Sequence, residues 1–237
     1  MTVEIKFCGL TRPEDAAHAA TLGAAYVGVI FAGGPRTVSE ERARRILDAA
    51  STVRAGIRRV GVFAADTPAR IARVAAAASL DVIQLHADPS VRTVSELRGA
   101  IAGAVWVVVR VAGERLPDGT GAMFAAADGV VLDARVDGRL GGTGVALPWH
   151  ALAGHLRAVR GDIPGNGHPS SASPAAARAR LVLAGGLRPA NVLAAITELA
   201  PEIVDVSSGV ESAPGIKDHS LMRAFAEAAG ACPAGSR

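Results

Sequence analysis

Lys6 and Cys8 stand two residues apart in the segment IKFCGLTRPEDA, where an apolar run meets a glycine. A cysteine so placed has three uses: inert packing, half of a redox pair, or a nucleophile or base. Further along, Arg36 follows FAGGP, Gln84 and His86 fall in DVIQLHAD, and Arg110 and Asp133 each close an apolar run. A guanidinium grips carboxylates and phosphates, and an aspartate moves protons when its surroundings shift its pKa. Two late segments, LAGGLRPAN and DVSSGVES, set small residues directly after an apolar run. There the backbone N–H groups of Gly185, Gly186, Ser208 and Gly209 can approach an anion closely, and Ser207 or Ser208 can add a hydroxyl. Each residue also has a bland reading. Cys8 alone is a small buried hydrophobe, Asp133 a loop cap and Arg36 a solvated charge. Gln84 and His86 alone are hydrogen-bonded structural residues.

What matters is whether one architecture brings these residues together. Short β-rich runs alternate with Ala-rich amphipathic segments. The pattern predicts strands at 4–10, 25–31, 57–63, 81–86, 104–111, 129–135, 180–185 and 202–208. It predicts helices at 13–22, 39–50, 67–78, 90–102, about 119–126, 148–160, 189–199 and 217–230, the fifth being short. Ser39 is a natural N-cap, and TRPED and DTPAR put proline at a first turn. Eight such units make an α/β protein of the (β/α)8 TIM-barrel class, a single domain over 1–230. No G-x-G-x-x-G follows the first strand, which disfavours a doubly wound open sheet. The Gly-, Pro- and Ser-rich stretch 161–178, between helix six and strand seven, reads as a mobile insertion on the face opposite the site, and 231–237 as a flexible tail.

In a barrel the catalytic groups collect where strands end. Cys8, Arg36, Gln84, His86, Arg110, Asp133 and both small-residue segments all fall on that one rim. Strand alternation sorts them further: Ile5 and Phe7 suit the helix layer, so Lys6 and Cys8 point inward. A buried lysine needs a partner, and Asp133 or Asp205 can supply one.

Bulk properties narrow the partners. Half of the 237 residues are apolar, the formal charge is only +3 and aromatic residues make up 3%. Stacking platforms for nucleic acid are therefore not expected, and no apolar run is long enough for a membrane span. Two cysteines, Cys8 and Cys232, are too few for a disulfide framework, which points to a reducing cytoplasm. No spaced His or carboxylate set suggests a metal.

The segments IKFCGLTRPEDA, VGVIFAGGPRTVS, RRVGVFA, DVIQLHAD, GVVLDARVDGRLGGTG, LVLAGGLRPANV and DVSSGVESAPGIKD together resemble the phosphoribosylanthranilate isomerase family of tryptophan biosynthesis. They occur in the family's order from near the first residue to past 215. The resemblance implies a (β/α)8 barrel with no metal and no organic cofactor, and a monomer or homodimer is expected. It implies an aldose–ketose isomerisation of the Amadori type, from N-(5-phosphoribosyl)anthranilate to 1-(2-carboxyphenylamino)-1-deoxyribulose 5-phosphate. By motif, Cys8 matches the family's general base, Asp133 its general acid and Arg36 the arginine at the anthranilate carboxylate. Gly185, Gly186, Ser207, Ser208 and Gly209 match the phosphate grip. Asp205 is placed among the substrate-binding residues, with Lys6, Gln84, His86 and Arg110 in support. The chain departs from the family in a shorter loop around Arg36, Thr37 in place of an aromatic, and Ala87 in place of a glycine. Two rivals remain: the related histidine-pathway isomerase or a bifunctional enzyme, and a non-catalytic anion-binding barrel with Cys8 as a sensor thiol.

Those roles set electrostatic requirements. An unperturbed aspartate is protonated in only about one molecule in a thousand at pH 7, so Asp133 must be raised by burial or by Asp205. The thiol must instead be lowered, and Lys6 is the expected cation. A cation close to both would lower both, so Lys6 is expected to sit nearer Cys8 or to pair with Asp205.

Overall fold

Alternation decides which side of each strand faces inward, and the first strand shows it. Ile5 and Phe7 lie in the large apolar cluster between strands and helices, whereas Lys6 turns to the interior with no solvent exposure. The computed structural model describes residues 3–134, 147–161 and 179–230. Its strands are β1 (Glu4–Phe7), β2 (Tyr26–Ile30), β3 (Arg58–Phe63), β4 (Val82–Leu85), β5 (Ala104–Val111), β6 (Gly129–Ala134), β7 (Arg180–Leu183) and β8 (Ile203–Val206). They pair in chain order, all parallel, and β8 closes on β1 with Lys6 directly opposite Asp205. Between and after them run α1 (Pro13–Thr21), α2 (Glu40–Val53), α3 (Pro68–Ala78), α4 (Val91–Ala100), α5 (Thr120–Ala126), α6 (Trp149–Arg160), α7 (Val192–Leu199) and α8 (His219–Ala228). This is the (β/α)8 barrel that the alternating pattern predicts.

Helix starts follow their capping residues. Ser39, Thr67 and Ser90 each accept a hydrogen bond from a first-turn N–H of α2, α3 and α4. Differences from the predicted ranges have local causes. β1 stops at Phe7 rather than at residue 10 because Gly9, at φ +69°, turns the chain. α7 begins at Val192 rather than 189, since Asn191 first folds back to accept from the Arg188 N–H. α8 begins at His219 rather than 217 because Ile216–Lys217 forms β10, which pairs antiparallel with β9 (Glu211–Ala213). Asp218 then caps the helix. The expected insertion over 161–178, apart from Gly161, the tail 231–237 and the GGTG segment lie outside the described residues. Among the described residues no helix is long and apolar enough to cross a membrane.

The interior has two storeys. Tyr26, Val60, Val82, Trp106, Val108, Val131, Val182 and Ile203 fill the lower part, with the Tyr26 and Trp106 rings 5.0 Å apart between centroids. Tyr26 is fully buried, and its hydroxyl accepts from Arg58 Nη1 at 3.0 Å and Arg180 Nη1 at 2.7 Å. Arg180 also meets Glu4 at 2.6 Å. These residues stand at strand starts, so they seal the end of the barrel away from the chemistry. Tyr26→Phe should lower unfolding stability by about 1–2 kcal/mol in urea titration. It should leave kcat within about twofold, and a larger loss of kcat would show that this face is coupled to the rim.

Candidate active site

At the other end of the strands opens a cavity of about 590 Å³, whose lining includes Cys8, Arg36, Gln84, His86, Asp133 and Asp205. Gly185, Gly186, Ser207, Ser208 and Gly209 line it as well. Two of the predicted residues stand outside the lining. Lys6 lies beneath the floor, and Arg110, near the end of β5, donates from Nη2 to the His86 carbonyl at 2.5 Å. Arg110 also faces Asp88 at 3.9 Å.

The floor is organised by one ion pair. Lys6 Nζ donates to Asp205 Oδ2 at 2.7 Å, with side-chain exposures of 0% and 6%. Asp205 Oδ1 and Gln84 Oε1 are buried and have no hydrogen-bond partner among the described residues. Both residues line the cavity, so these two acceptors lie just under its surface.

The walls need glycine where the chain comes close to itself. A Cβ on Gly9 would stand 2.7 Å from Arg36 Cδ and 2.8 Å from Ser207 Oγ. A Cβ on Gly209 would overlap the Leu187 carbonyl oxygen at 1.9 Å, so the loops after β7 and β8 pack backbone to backbone. Asn191 pins the first of these loops by donating from Nδ2 to the Gly186 carbonyl at 3.0 Å.

Arg36 does not stand free. Its Nε and Nη2 donate to the two carboxylate oxygens of Glu211 at 2.8 and 2.6 Å. Lys217 Nζ donates to the same carboxylate at 2.8 Å and to the Ser207 carbonyl at 2.9 Å. Neither Glu211 nor Lys217 is among the residues singled out from the sequence. A signal was present: Lys217 is one of only two lysines in the chain, and it faces a glutamate across a Pro-Gly turn.

With this geometry in view, the comparisons with known proteins decide the family. The family model described as N-(5'phosphoribosyl)anthranilate (PRA) isomerase matches residues 5–228. The chain belongs to that family. It is 40% identical over 233 residues to the N-(5'-phosphoribosyl)anthranilate isomerase of Rubrobacter xylanophilus, spanning 95% of this chain and 98% of that one. A crystal structure of the phosphoribosyl anthranilate isomerase from Thermotoga maritima superposes with a TM-score of 0.78 at 30% identity, covering 96% of this chain and 98% of that one. Another, of the family enzyme in complex with reduced 1-(o-carboxyphenylamino)-1-deoxyribulose 5-phosphate, superposes at 0.75 with the same identity and coverage.

In this member of the isomerase family the two candidate proton-transfer groups are both pushed upward. Burial, then the charge of Asp205, raises Asp133 to about 6, against weaker lowering by the Ala134 N–H, Arg110 and Lys6. Burial also raises the Cys8 thiol, and the nearby Lys6 ammonium only partly offsets this. That corrects the expectation of a thiol lowered by Lys6: the cation is present, but desolvation and Asp205 outweigh it. Burial pulls Lys6 down, yet Asp205 and Cys8 bring it above its ordinary value, so it stays charged. Among the described residues no group of three or more His, Cys, Asp or Glu is arranged to hold a metal.

The raised Asp133 has a consequence for stability. Its folded pKa exceeds that of the unfolded chain, so between about pH 4 and 6 the folded protein holds the extra proton. Stability contributed by this group is therefore lost as pH rises through that window. Asp133→Asn removes the penalty. Relative to wild type it should gain about 1–3 kcal/mol between pH 4 and pH 8 in denaturant titrations. An unchanged difference at the two pH values would show that burial does not disfavour this carboxylate.

Proposed function

We propose that the chain catalyses the Amadori rearrangement of N-(5-phosphoribosyl)anthranilate to 1-(2-carboxyphenylamino)-1-deoxyribulose 5-phosphate in tryptophan biosynthesis, with Asp133 as general acid and Cys8 as general base. The observation that carries the reading is the shared cavity. One space of about 590 Å³ is lined by a raised carboxyl, a thiol, an arginine and two close-packed small-residue loops. Arg36 takes the anthranilate carboxylate, and backbone N–H groups of the loops at 185–186 and 207–209 take the phosphate. Asp205 and Gln84 line the cavity beneath the sugar. A free thiol needs a reducing compartment, which is why we place the enzyme in the cytoplasm.

The chemistry needs one acid and one base. Asp133 protonates the furanose ring oxygen as the C1′–O bond breaks, and the anthranilate nitrogen lone pair forms the C1′=N⁺ Schiff base. That cation acidifies the C2′–H. Cys8 thiolate takes the proton, the C–H electrons form C1′=C2′, and nitrogen becomes neutral. The enolamine then tautomerises, moving the C2′ hydroxyl proton to C1′ and leaving the ketone.

The pKa directions make this a reverse-protonation enzyme. At neutral pH the resting state is ionised Asp133 with neutral Cys8, whereas turnover requires neutral Asp133 with Cys8 thiolate. Both states carry the same number of protons. Their ratio is therefore constant between the two pKa values, and kcat/KM is level there. Fluorescence-loss assays with freshly made substrate test the roles. Cys8→Ser and Asp133→Asn should each lower kcat by about 100-fold or more without loss of fold. From about pH 6.5 to 8.5 the level wild-type profile should become, in Asp133→Asn, a rise approaching tenfold per pH unit, because only the thiol then titrates. A level profile in that variant, or wild-type kcat in either, removes the assignment.

A further inference from the structure

Arg36, Glu211 and Lys217 form a cluster that reaches the loop after β8 through Lys217, whose charge also lowers the Cys8 thiol, yet Glu211 itself takes no part in proton transfer. The cluster's side chains are 16%, 5% and 0% exposed, and only Arg36 of the three lines the cavity. Glu211 binds the Nε–Nη2 edge of the guanidinium, which fixes the plane of the fork and leaves Nη1 for a ligand. Through Lys217 the same carboxylate is tied to the Ser207 carbonyl, where the loop after β8 begins. Burial pulls Lys217 below its ordinary value against the opposing pull of Glu211, and with Lys217 charged the two cations and one carboxylate carry a single net positive charge. That balances one carboxylate, whereas a phosphate or phosphonate near pH 8 brings nearly two negative charges.

We propose that Glu211 is a positioning and specificity residue, holding the free edge of Arg36 toward the cavity and trimming the cluster's charge to that of a single carboxylate. The inference rests on the reading in which Arg36 meets the carboxylate of the anthranilate ring. It gives a buried glutamate in a substrate pocket a task that a purely structural ion pair lacks. The geometry supplies orientation, and the charge count supplies selection against a dianion at that position.

The test uses two competitive inhibitors at about pH 8. One is the reduced product analogue with its 2-carboxyphenyl group; the other is the same molecule with 2-phosphonophenyl. Wild type should prefer the carboxylate. Glu211→Gln, which raises the net charge by one, should move the carboxylate-to-phosphonate preference toward phosphonate by about tenfold or more. Lys217→Met should move it the other way. Combining Glu211→Gln with Lys217→Met restores the net charge and should return the ratio to within about threefold of wild type. Glu211→Asp keeps the charge but shortens the arm, so it should raise substrate KM with the ratio unmoved. If Glu211→Gln does not fold, Lys217→Met and the double variant carry the test. Arg36→Met separates the two layers of argument. Should it leave KM unchanged, the carboxylate reading of Arg36 falls and the proposal falls with it. Should it raise KM by tenfold or more while no charge-changing variant moves the ratio, only the role of Glu211 is overturned.

Discussion

Lys6 can occupy the interior of this barrel only because Asp205 lies directly across the seam between β1 and β8. An ammonium taken wholly out of water is strongly disfavoured without a partner, and a 2.7 Å contact on the neighbouring strand supplies one. Removing either partner leaves an uncompensated buried charge, so the pair binds barrel closure to the character of the site. Buried pairs of this kind are weak evidence for stability, and an apolar pair of similar volume often does as well. Here the reason to keep the charges lies one storey higher. Lys6 draws the Cys8 thiol downward, while Asp205 pushes both the thiol and Asp133 upward. A lone lysine would pull Asp133 down, and a lone aspartate would make the Cys8 thiolate still scarcer. Together they act as a nearly neutral unit with a directed field.

The barrel's two storeys divide the labour that results. Around the rim, burial works against ionised groups and leaves Asp205 Oδ1 and Gln84 Oε1 without partners among the described residues. Both features reduce stability in the absence of ligand. Below them the interior is almost wholly apolar, and its one phenol is satisfied by two arginines. The same strands supply both parts, because residues two apart on a strand face the same interior at different heights. Ile203 belongs to the packed storey and Asp205 to the reactive one. Strain in the site is thus carried by a base that takes no part in the chemistry.

Much of this was legible in the sequence, and the rest was not, for identifiable reasons. Eight alternating units specify the barrel, and alternation within the first strand places Lys6 inside and Phe7 outside, as found. Residues at strand ends reach one rim because the fold makes them do so, whatever lies between them in sequence. Pairings between loops are different. Arg36 and Glu211 are 175 positions apart, and no periodicity links a loop after β2 to a hairpin after β8. The direction of the Cys8 shift was also beyond sequence reasoning. It depends on the balance of desolvation against one nearby ammonium, and only the burial around the thiol sets that balance. The late starts of α7 and α8 have the same origin, since a turn held by Asn191 and a two-stranded hairpin replace what a helical pattern would continue.

A phosphosugar site normally invites cations, yet a protonated carboxyl in the same cavity cannot tolerate many of them. This structure resolves the conflict by how it treats its basic groups. Lys6 is matched by Asp205, and Arg36 and Lys217 share Glu211. The loops suited to the phosphate are built from glycine and serine, so they offer backbone dipoles with no added charge. Arg110 is the exception that shows the rule at work. It lowers Asp133, but from outside the cavity lining, turned toward the His86 carbonyl and Asp88. Had Gly185 been a lysine or arginine, its field would have acted on Asp133, whose Oδ1 lies within 2.9 Å of where a Gly185 side chain would begin. A carboxyl held near 6 is possible in this cavity because the cations around it are met by carboxylates.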